Sequence, residues 1–126
     1  MKSFITIYFF FLIFASCTIE VPPEVIAAQE ELPEVIDFNY HVKPILSDRC
    51  YNCHGPDENS RKAGLRLDIE SIAFSKLNSG KRAISPGSTY SSELAHRILS
   101  TDPAVIMPNP DSNLTLDSRE KAMLLK

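Results

Sequence analysis

The stretch Cys50-Tyr51-Asn52-Cys53-His54 decides the fold of this chain. Two cysteines separated by two residues and followed at once by a histidine are the attachment pattern of c-type haem. The spacing suits that chemistry, because two thiols add across the haem vinyl groups while the short turn between them places the imidazole beneath the iron. The pattern therefore predicts covalent haem on Cys50 and Cys53, with His54 as an iron ligand. At Gly55, a side chain would crowd the haem edge or block a tight exit from the turn.

Three other interpretations of the cysteine pair stay open on the motif alone. A thioredoxin-like redox pair is expected within a βαβ pattern of secondary structure, and this sequence shows no such pattern. A structural zinc site would need further ligands, and adjacent Cys53 and His54 lack the usual zinc-ligand spacing. A plain disulfide between Cys50 and Cys53 would close a small, strained ring.

Residues 1–16 have the character of an export signal. Lys2 supplies a weakly positive start, and residues 4–15 are almost wholly apolar. The run is shorter than the ~20 apolar residues of a spanning helix and suits a secretory signal. Phe14-Ala15-Ser16-Cys17 resembles a bacterial lipobox, so we expect lipidation of Cys17, the third cysteine. The alternatives are a signal cleaved at another residue or a buried N-terminal helix. Export also favours the haem interpretation, because haem attachment occurs outside the cytoplasm.

Residues 17–36 change in composition after this signal. Their acidic residues meet no Lys or Arg, and prolines at positions 22, 23 and 33 disfavour a continuous helix. The acidic residues are Glu20, Glu24, Glu30, Glu31 and Glu34. This pattern predicts an extended, self-repelling tether rather than a packed element. The expected organisation is thus a signal peptide (1–16), a lipidated Cys17 with an acidic tether (17–36) and a folded domain (37–126).

The folded domain carries mostly helical signals. A helix is expected to begin near Val42 or Lys43, because Pro44 suits a first turn. Asp117 and Glu120 have the spacing of a capping box that opens a last helix. Further expected features are a short extended segment at Leu65 and Leu67, a helix over 69–76 capped by Asp68, and a helix carrying Leu94, Ile98 and Leu99 capped by Ser91 or Ser92.

The sixth position on the iron is assigned to Met107. Electron-transfer cytochromes usually place Met or His there, and Met107 lies in a loop that Pro108 and Pro110 stiffen. Met123 falls in the last helix, where packing in the core is the simpler expectation. His96, His41 or an open site are the alternatives.

Composition and charge exclude some functions. The formal net charge is −3 and the pI is about 5.6, so nucleic-acid binding, which needs a basic patch, is not expected. No catalytic set is recognisable, and isolated acids such as Asp37, Asp57 and Asp68 are expected to be caps or solvated. Five cations are either a docking patch for an acidic redox partner or solvated charges that neutralise haem propionates. They are Lys43, Arg49, Arg61, Lys62 and Arg66.

Several short sequence motifs follow one another along the chain and can be compared with a known family. They are Asp37-Phe38-Asn39, Val42-Lys43-Pro44-Ile45-Leu46-Ser47, residues 50–57, Lys62-Ala63-Gly64-Leu65-Arg66-Leu67-Asp68, Ser85-Pro86-Gly87, Ser92-Glu93-Leu94, Arg97-Ile98 and Met107-Pro108. On these motifs, residues 37–126 resemble the planctomycete-type cytochrome c domain. The resemblance implies an all-α, class I cytochrome c-like fold wrapped around one covalent haem c, bound by Cys50 and Cys53 and ligated by His54 and Met107. Asn109 departs from the proline usual there.

The function expected from motif and resemblance is electron transfer on the periplasmic side of the bacterial cell envelope. The chain would be anchored to the membrane through Cys17 and would exchange electrons with redox partner proteins. Domains of this family commonly head longer chains, so a larger parent protein, and a role as the redox module of an enzyme, are expected possibilities. The alternative of a different class is a haem-based sensor or ligand-binding module with an open or labile sixth site.

Overall fold

A computed structural model of the chain describes residues 19–126, so the expected signal peptide and Cys17 lie outside the described residues. The helices are α1 (Pro23–Glu30), α2 (Lys43–Arg49), α3 (Tyr51–His54), α4 (Glu70–Ala73), α5 (Glu93–Leu99) and α6 (Ser118–Leu125). A π-helical turn (Phe38–Val42) precedes α2, and a 3₁₀ turn (Pro110–Ser112) precedes α6. Within 19–126, β-structure is limited to isolated bridges. The predicted all-α fold class is therefore confirmed.

The helices were compared with the length and hydropathy that a membrane span requires. Between residues 19 and 126, no helix is both long enough and apolar enough to span a bilayer.

The predicted tether is wrong for residues 23–36. Residues 23–30 form α1, which packs against α6. Val25 is 1% exposed and is buried in one cluster with Leu32, Ala122 and Met123. The prolines did not prevent the helix because Pro22 is its N-cap and Pro23 its first residue, where a missing N–H costs no hydrogen bond. The glutamates of this segment are exposed, so their charges stay in water.

We expect a Val25→Ala variant to test this packing. It removes two methyl groups from a buried site, which costs about 1.5 kcal/mol of unfolding free energy by transfer, plus a cavity contribution. Val35→Ala is the matched control, because Val35 is 79% exposed. Denaturant unfolding of both variants gives the measurement. Equal stability losses at the two positions would contradict the docking of α1.

The second core cluster surrounds α2 and supports the residues of the haem motif. Leu46, Leu65, Leu67, Ala73 and Ala83 are buried in it. Cys50, Tyr51, Leu94 and Leu124 are partly buried against the same cluster. Leu65 and Leu67, where a short extended segment was expected, lie in the loop between α3 and α4 and form no β-strand. Their side chains are buried in the core.

Two predicted helix starts are confirmed. Helix α2 begins at Lys43, and Pro44 lies in its first turn. Helix α6 opens with the predicted capping box: the Glu120 N–H donates to Asp117 at 2.7 Å, and the Asp117 N–H donates back to Glu120 at 2.9 Å. Each partner satisfies a donor that a helix start leaves free.

Two predicted caps are wrong. Asp68 accepts a hydrogen bond from Arg66 Nε at 3.1 Å instead of capping α4, which is preceded by Ile69 and is only Glu70–Ala73 long. Ser92 does precede α5, but its hydroxyl donates to the Ser88 carbonyl at 2.7 Å and accepts from the Ser85 N–H at 2.9 Å. In each case a partner in a neighbouring turn replaces the local helical N–H.

Candidate functional site

Cys50 lies at the junction of α2 and α3, and this junction places the haem motif. The Cys50 N–H donates to the Leu46 carbonyl at 2.9 Å, which ends α2. The Cys50 carbonyl then accepts from the N–H groups of Cys53 at 3.1 Å and His54 at 2.8 Å. One helical turn therefore carries both thiols and the imidazole. Both cysteines are free and only partly exposed.

The loop after α3 fixes the end of this turn. A four-residue helix leaves its carbonyls without helical partners, and the loop supplies them. The Lys62 N–H donates to the Cys53 carbonyl and the Leu67 N–H donates to the His54 carbonyl, both at 2.8 Å. Arg61 donates to the Gly55 carbonyl at 3.1 Å. The motif is thus held by backbone bonds that involve neither its thiols nor its imidazole.

Gly55 ends α3 at a point that has no room for a side chain. A Cβ at this position would lie 2.3 Å from the carbonyl oxygen of Tyr51 and 2.9 Å from the Tyr51 Cβ. The sequence-based expectation that a side chain would block a tight exit from the turn is confirmed.

His54 has the environment of a neutral imidazole. Burial lowers its pKa and the charge of Arg97 lowers it further, whereas the backbone of Lys62 acts in the opposite direction. That backbone contact does not complete a hydrogen bond with Nδ1, which is buried and has no partner. A partly buried, neutral ring with a buried nitrogen free of protein partners suits a metal ligand. The residues present therefore fit the haem that the motif predicts.

Cys50 is a protonated thiol at neutral pH. Burial raises its pKa to about 11, and the charges of Glu120 and Cys53 act in the same direction. Its thiolate, the nucleophilic form, is therefore scarce until the pH is strongly alkaline.

This shift predicts slow alkylation of Cys50 in the folded apoprotein. The raised pKa of about 11, against an ordinary value of 9.0, leaves about a hundredfold less thiolate at about pH 8. We expect iodoacetamide to modify Cys50 in the native protein about a hundredfold more slowly than in the denatured protein, by that factor alone. Peptide mass spectrometry after timed quenching measures the rate. Equal native and denatured rates would contradict the burial of this thiol.

Met107 lies in a loop between α5 and the 3₁₀ turn, outside any helix. Its N–H donates to the Arg97 carbonyl at 3.1 Å, and its side chain is partly buried. Met123, by contrast, is 6% exposed in the cluster between α1 and α6, as expected of a core residue.

The two alternative histidine ligands already have backbone partners. His96 Nε2 lies 2.7 Å from the Tyr90 carbonyl. His41 Nδ1 accepts from the Asp37 N–H at 2.9 Å. Either ring would have to leave its contact or use its other nitrogen to ligate iron, which favours Met107 among the candidates.

A large apolar cavity borders α2. Its volume is about 800 Å³, and Leu46, Phe74, Leu94 and Leu124 contribute to its walls. Cys50, Cys53, His54 and Met107 do not line it. Leu46 belongs to the core cluster against which Cys50, Leu94 and Leu124 are also packed, so the cavity adjoins the packing around the motif.

Most of the charged residues considered in the sequence have internal partners. Arg49 Nε lies 3.0 Å from Glu120, Arg66 pairs with Asp68, and Arg61 binds backbone carbonyls. Lys43 and Lys62 are exposed. Two of the three acids behave as expected, since Asp37 accepts from the Tyr40 N–H and Asp57 from the Asn59 N–H. Asp68 is instead paired with Arg66.

Arg97, in α5, was given no functional role in the sequence analysis. Its Nε donates to Glu93 at 3.1 Å, its Nη1 reaches the Val105 carbonyl at 3.4 Å, and its own carbonyl accepts from Met107. The spacing of Glu93 and Arg97 was a usable signal, since residues four apart face each other on a helix.

Comparison with known proteins gives one informative match. A family model described as planctomycete cytochrome C matches residues 50–111, a range that includes the haem motif and Met107. Comparisons with curated proteins and with solved structures found no match. The family implies covalently bound haem c and haem-based electron transfer. The motif, the helical fold and this match agree: residues 50–111 belong to the planctomycete cytochrome c family.

Proposed function

We propose that the chain transfers electrons in the bacterial cell envelope through one haem c attached to Cys50 and Cys53, with His54 and Met107 as the axial ligands of iron. The observation that carries the proposal is the α3 turn, which brings two free thiols together with a partly buried, neutral imidazole whose buried Nδ1 has no partner. When bound, the haem supplies a one-electron couple between ferric and ferrous iron.

The protein's own part is to hold these groups in place. The α3 turn fixes the spacing of Cys50, Cys53 and His54, and the loop carbonyl bonds at Cys53 and His54 keep the turn from unwinding. The low pKa of His54 keeps the ring available as a ligand at neutral pH. A thioether from Met107 at the sixth position would raise the reduction potential.

We also propose the membrane anchor on Cys17, with a shorter reach than a tether would give. Helix α1 begins at Pro23 and is part of the folded domain. Val21 also packs against the cluster of Val25, Leu32, Ala122 and Met123, so the segment between the anchor and the domain would be residues 18–20 alone. The domain would be held close to the membrane surface, where the redox partner would have to meet it.

The proposed partner is an acidic protein that docks beside the motif. Lys62 lies in the loop that binds the Cys53 carbonyl, and its side chain is exposed, as is that of Lys43 at the start of α2. Arg49 and Arg66 are paired within the chain, so the two lysines are the better candidates for such a contact.

A spectrum with a haem stain tests the proposal. We expect protein expressed with a c-type maturation system to retain haem through denaturation, and to show a sharp α-band in the reduced-minus-oxidised spectrum. A Cys50→Ala, Cys53→Ala double variant serves as the control and should lose the stain. Loss of haem from the wild-type protein on denaturation would overturn the proposal.

A further inference from the structure

We infer that Arg97 is a positioning residue that holds the loop of Met107 against helix α5, and thereby sets how firmly Met107 keeps the sixth position on iron. The inference rests on the proposed His54 and Met107 ligation. It concerns a residue whose bonds run to Glu93, Val105 and the backbone of Met107.

Arg97 holds the loop at two points. Its carbonyl accepts from the Met107 N–H at 3.1 Å, and its Nη1 donates to the Val105 carbonyl at 3.4 Å. The two bonds come from one residue and flank Ile106. The backbone on the N-terminal side of Met107 is therefore fixed by one side chain and one carbonyl of α5.

The guanidinium is itself held in place. Its Nε donates to Glu93 at 3.1 Å, and Glu93 also accepts from Lys81 Nζ at 2.9 Å. Burial raises the pKa of Glu93, but Lys81 and Arg97 outweigh it and the net shift is downward, so the carboxylate stays ionised. A charged partner makes this a stronger bond than a neutral one.

The rest of the loop is closed on itself. The Val105 and Ile106 N–H groups donate to the Asp102 carbonyl at 2.9 and 2.8 Å. The Ala104 N–H donates to the Asp102 side chain at 2.9 Å. The loop thus behaves as a compact turn, and its bonds to Arg97 decide where that turn sits relative to α5.

An external ligand that competes with Met107 measures this hold. Imidazole binds ferric haem only when the sixth position is vacant, so its apparent affinity reports how often Met107 leaves. Arg97→Gln removes the guanidinium bonds to Glu93 and Val105 but leaves the carbonyl that accepts from Met107. The loss of a charge-assisted bond predicts about a tenfold gain in imidazole affinity.

The experiment uses the haem-loaded protein and matched arginine variants. Arg82→Gln is the control, because Arg82 is exposed and its guanidinium also donates to a backbone carbonyl, that of Phe74. Arg97→Lys keeps the positive charge but lacks the fork that serves Glu93 and Val105 together, so an affinity between wild type and Arg97→Gln is expected. Imidazole titration is combined with thermal unfolding and with hydrogen exchange of residues 104–107.

The outcomes separate this inference from the proposed ligation. A gain for Arg97→Gln and none for Arg82→Gln, with faster exchange at 104–107, would support the inference. Equal imidazole affinities in wild type, Arg97→Gln and Arg82→Gln would overturn it. If a Met107→Ala variant bound imidazole no better than the wild type, the ligation by Met107 would fail and this inference with it. If Arg97→Gln fails to load haem, Arg97→Lys carries the same comparison.

Discussion

A Met107→Ala variant is expected to keep its covalent haem but to lose the ferric Met–iron absorbance band and to show a lower reduction potential. Alanine offers no thioether, and a Met ligand opposite His raises the potential of a haem. The attachment should survive because Cys50, Cys53 and His54 are fixed by bonds within α3 and by Lys62 and Leu67. Visible spectra and a redox titration of the stained, purified protein give the measurement.

Met123→Ala is the matched control for this variant. Met123 is 6% exposed in the cluster between α1 and α6, so its truncation should cost about 2–5 kcal/mol of stability and leave the absorbance band unchanged. Met107→Ala is thus expected to remove the absorbance band, whereas Met123→Ala is expected to lower stability and keep the band. A Met107→Ala protein that still shows the band would refute Met107 as the ligand.

Carbon monoxide binding addresses the alternative function on the same variants. A sensor with an open sixth site would bind carbon monoxide readily in the wild-type ferrous protein, and Met107→Ala would change little. An electron carrier with a firm Met107 ligand would resist it, and the same substitution would open the site. A large gain in carbon monoxide binding on Met107→Ala substitution would indicate an electron carrier, and a small one would indicate a sensor.

The elements that were predictable from the sequence depend on short-range signals. The Cys50–His54 turn needs residues next to one another in the chain, and the α6 capping box needs Asp117 and Glu120 three apart. The start of α2 follows from the fixed φ of Pro44. In each case the physical cause lies within one helical turn, so a local pattern is sufficient.

The failures have long-range causes. Helix α1 is a poor helix by local criteria, and it forms because Val25 and Leu32 are buried against Ala122 and Met123, far along the chain. Helix formation in short segments commonly depends on such packing. The role of Arg97 is similar, since its contact with Val105 requires the intervening turn to fold back on α5.

The caps failed for a different reason. Asp68 and Ser92 are residue types that suit an N-cap. Each forms a hydrogen bond with another group instead, and the sequence alone does not show which of the two bonds is made. Asp68 has the Arg66 guanidinium, and Ser92 has the backbone of Ser85 and Ser88. Propensity identifies the residue that starts a turn, while the bond actually made depends on what the folded chain brings near it.

Gly55→Ala is expected to reduce haem attachment severely, because the new methyl group would overlap the backbone of the motif itself. The added Cβ would lie 2.3 Å from the Tyr51 carbonyl oxygen, so the chain must shift. Such overpacking costs about 1–3 kcal/mol. The shift would fall between Tyr51 and Gly55, the segment that sets the positions of Cys53 and His54. Haem staining of denatured protein, relative to total protein, measures attachment.

Gly80→Ala separates a loss of stability from a loss of motif geometry. Gly80 has φ +81° and nothing within 4 Å of an added Cβ, so alanine there costs about 1–2 kcal/mol through left-handed backbone strain alone. Both variants should unfold more easily than the wild type, but only Gly55→Ala should lose covalent haem. Haem content at the wild-type level in both variants would show that the tight exit at Gly55 is not needed for attachment. Equal loss in both would instead trace the defect to general instability, since Gly80 lies far along the chain from Cys50 and Cys53.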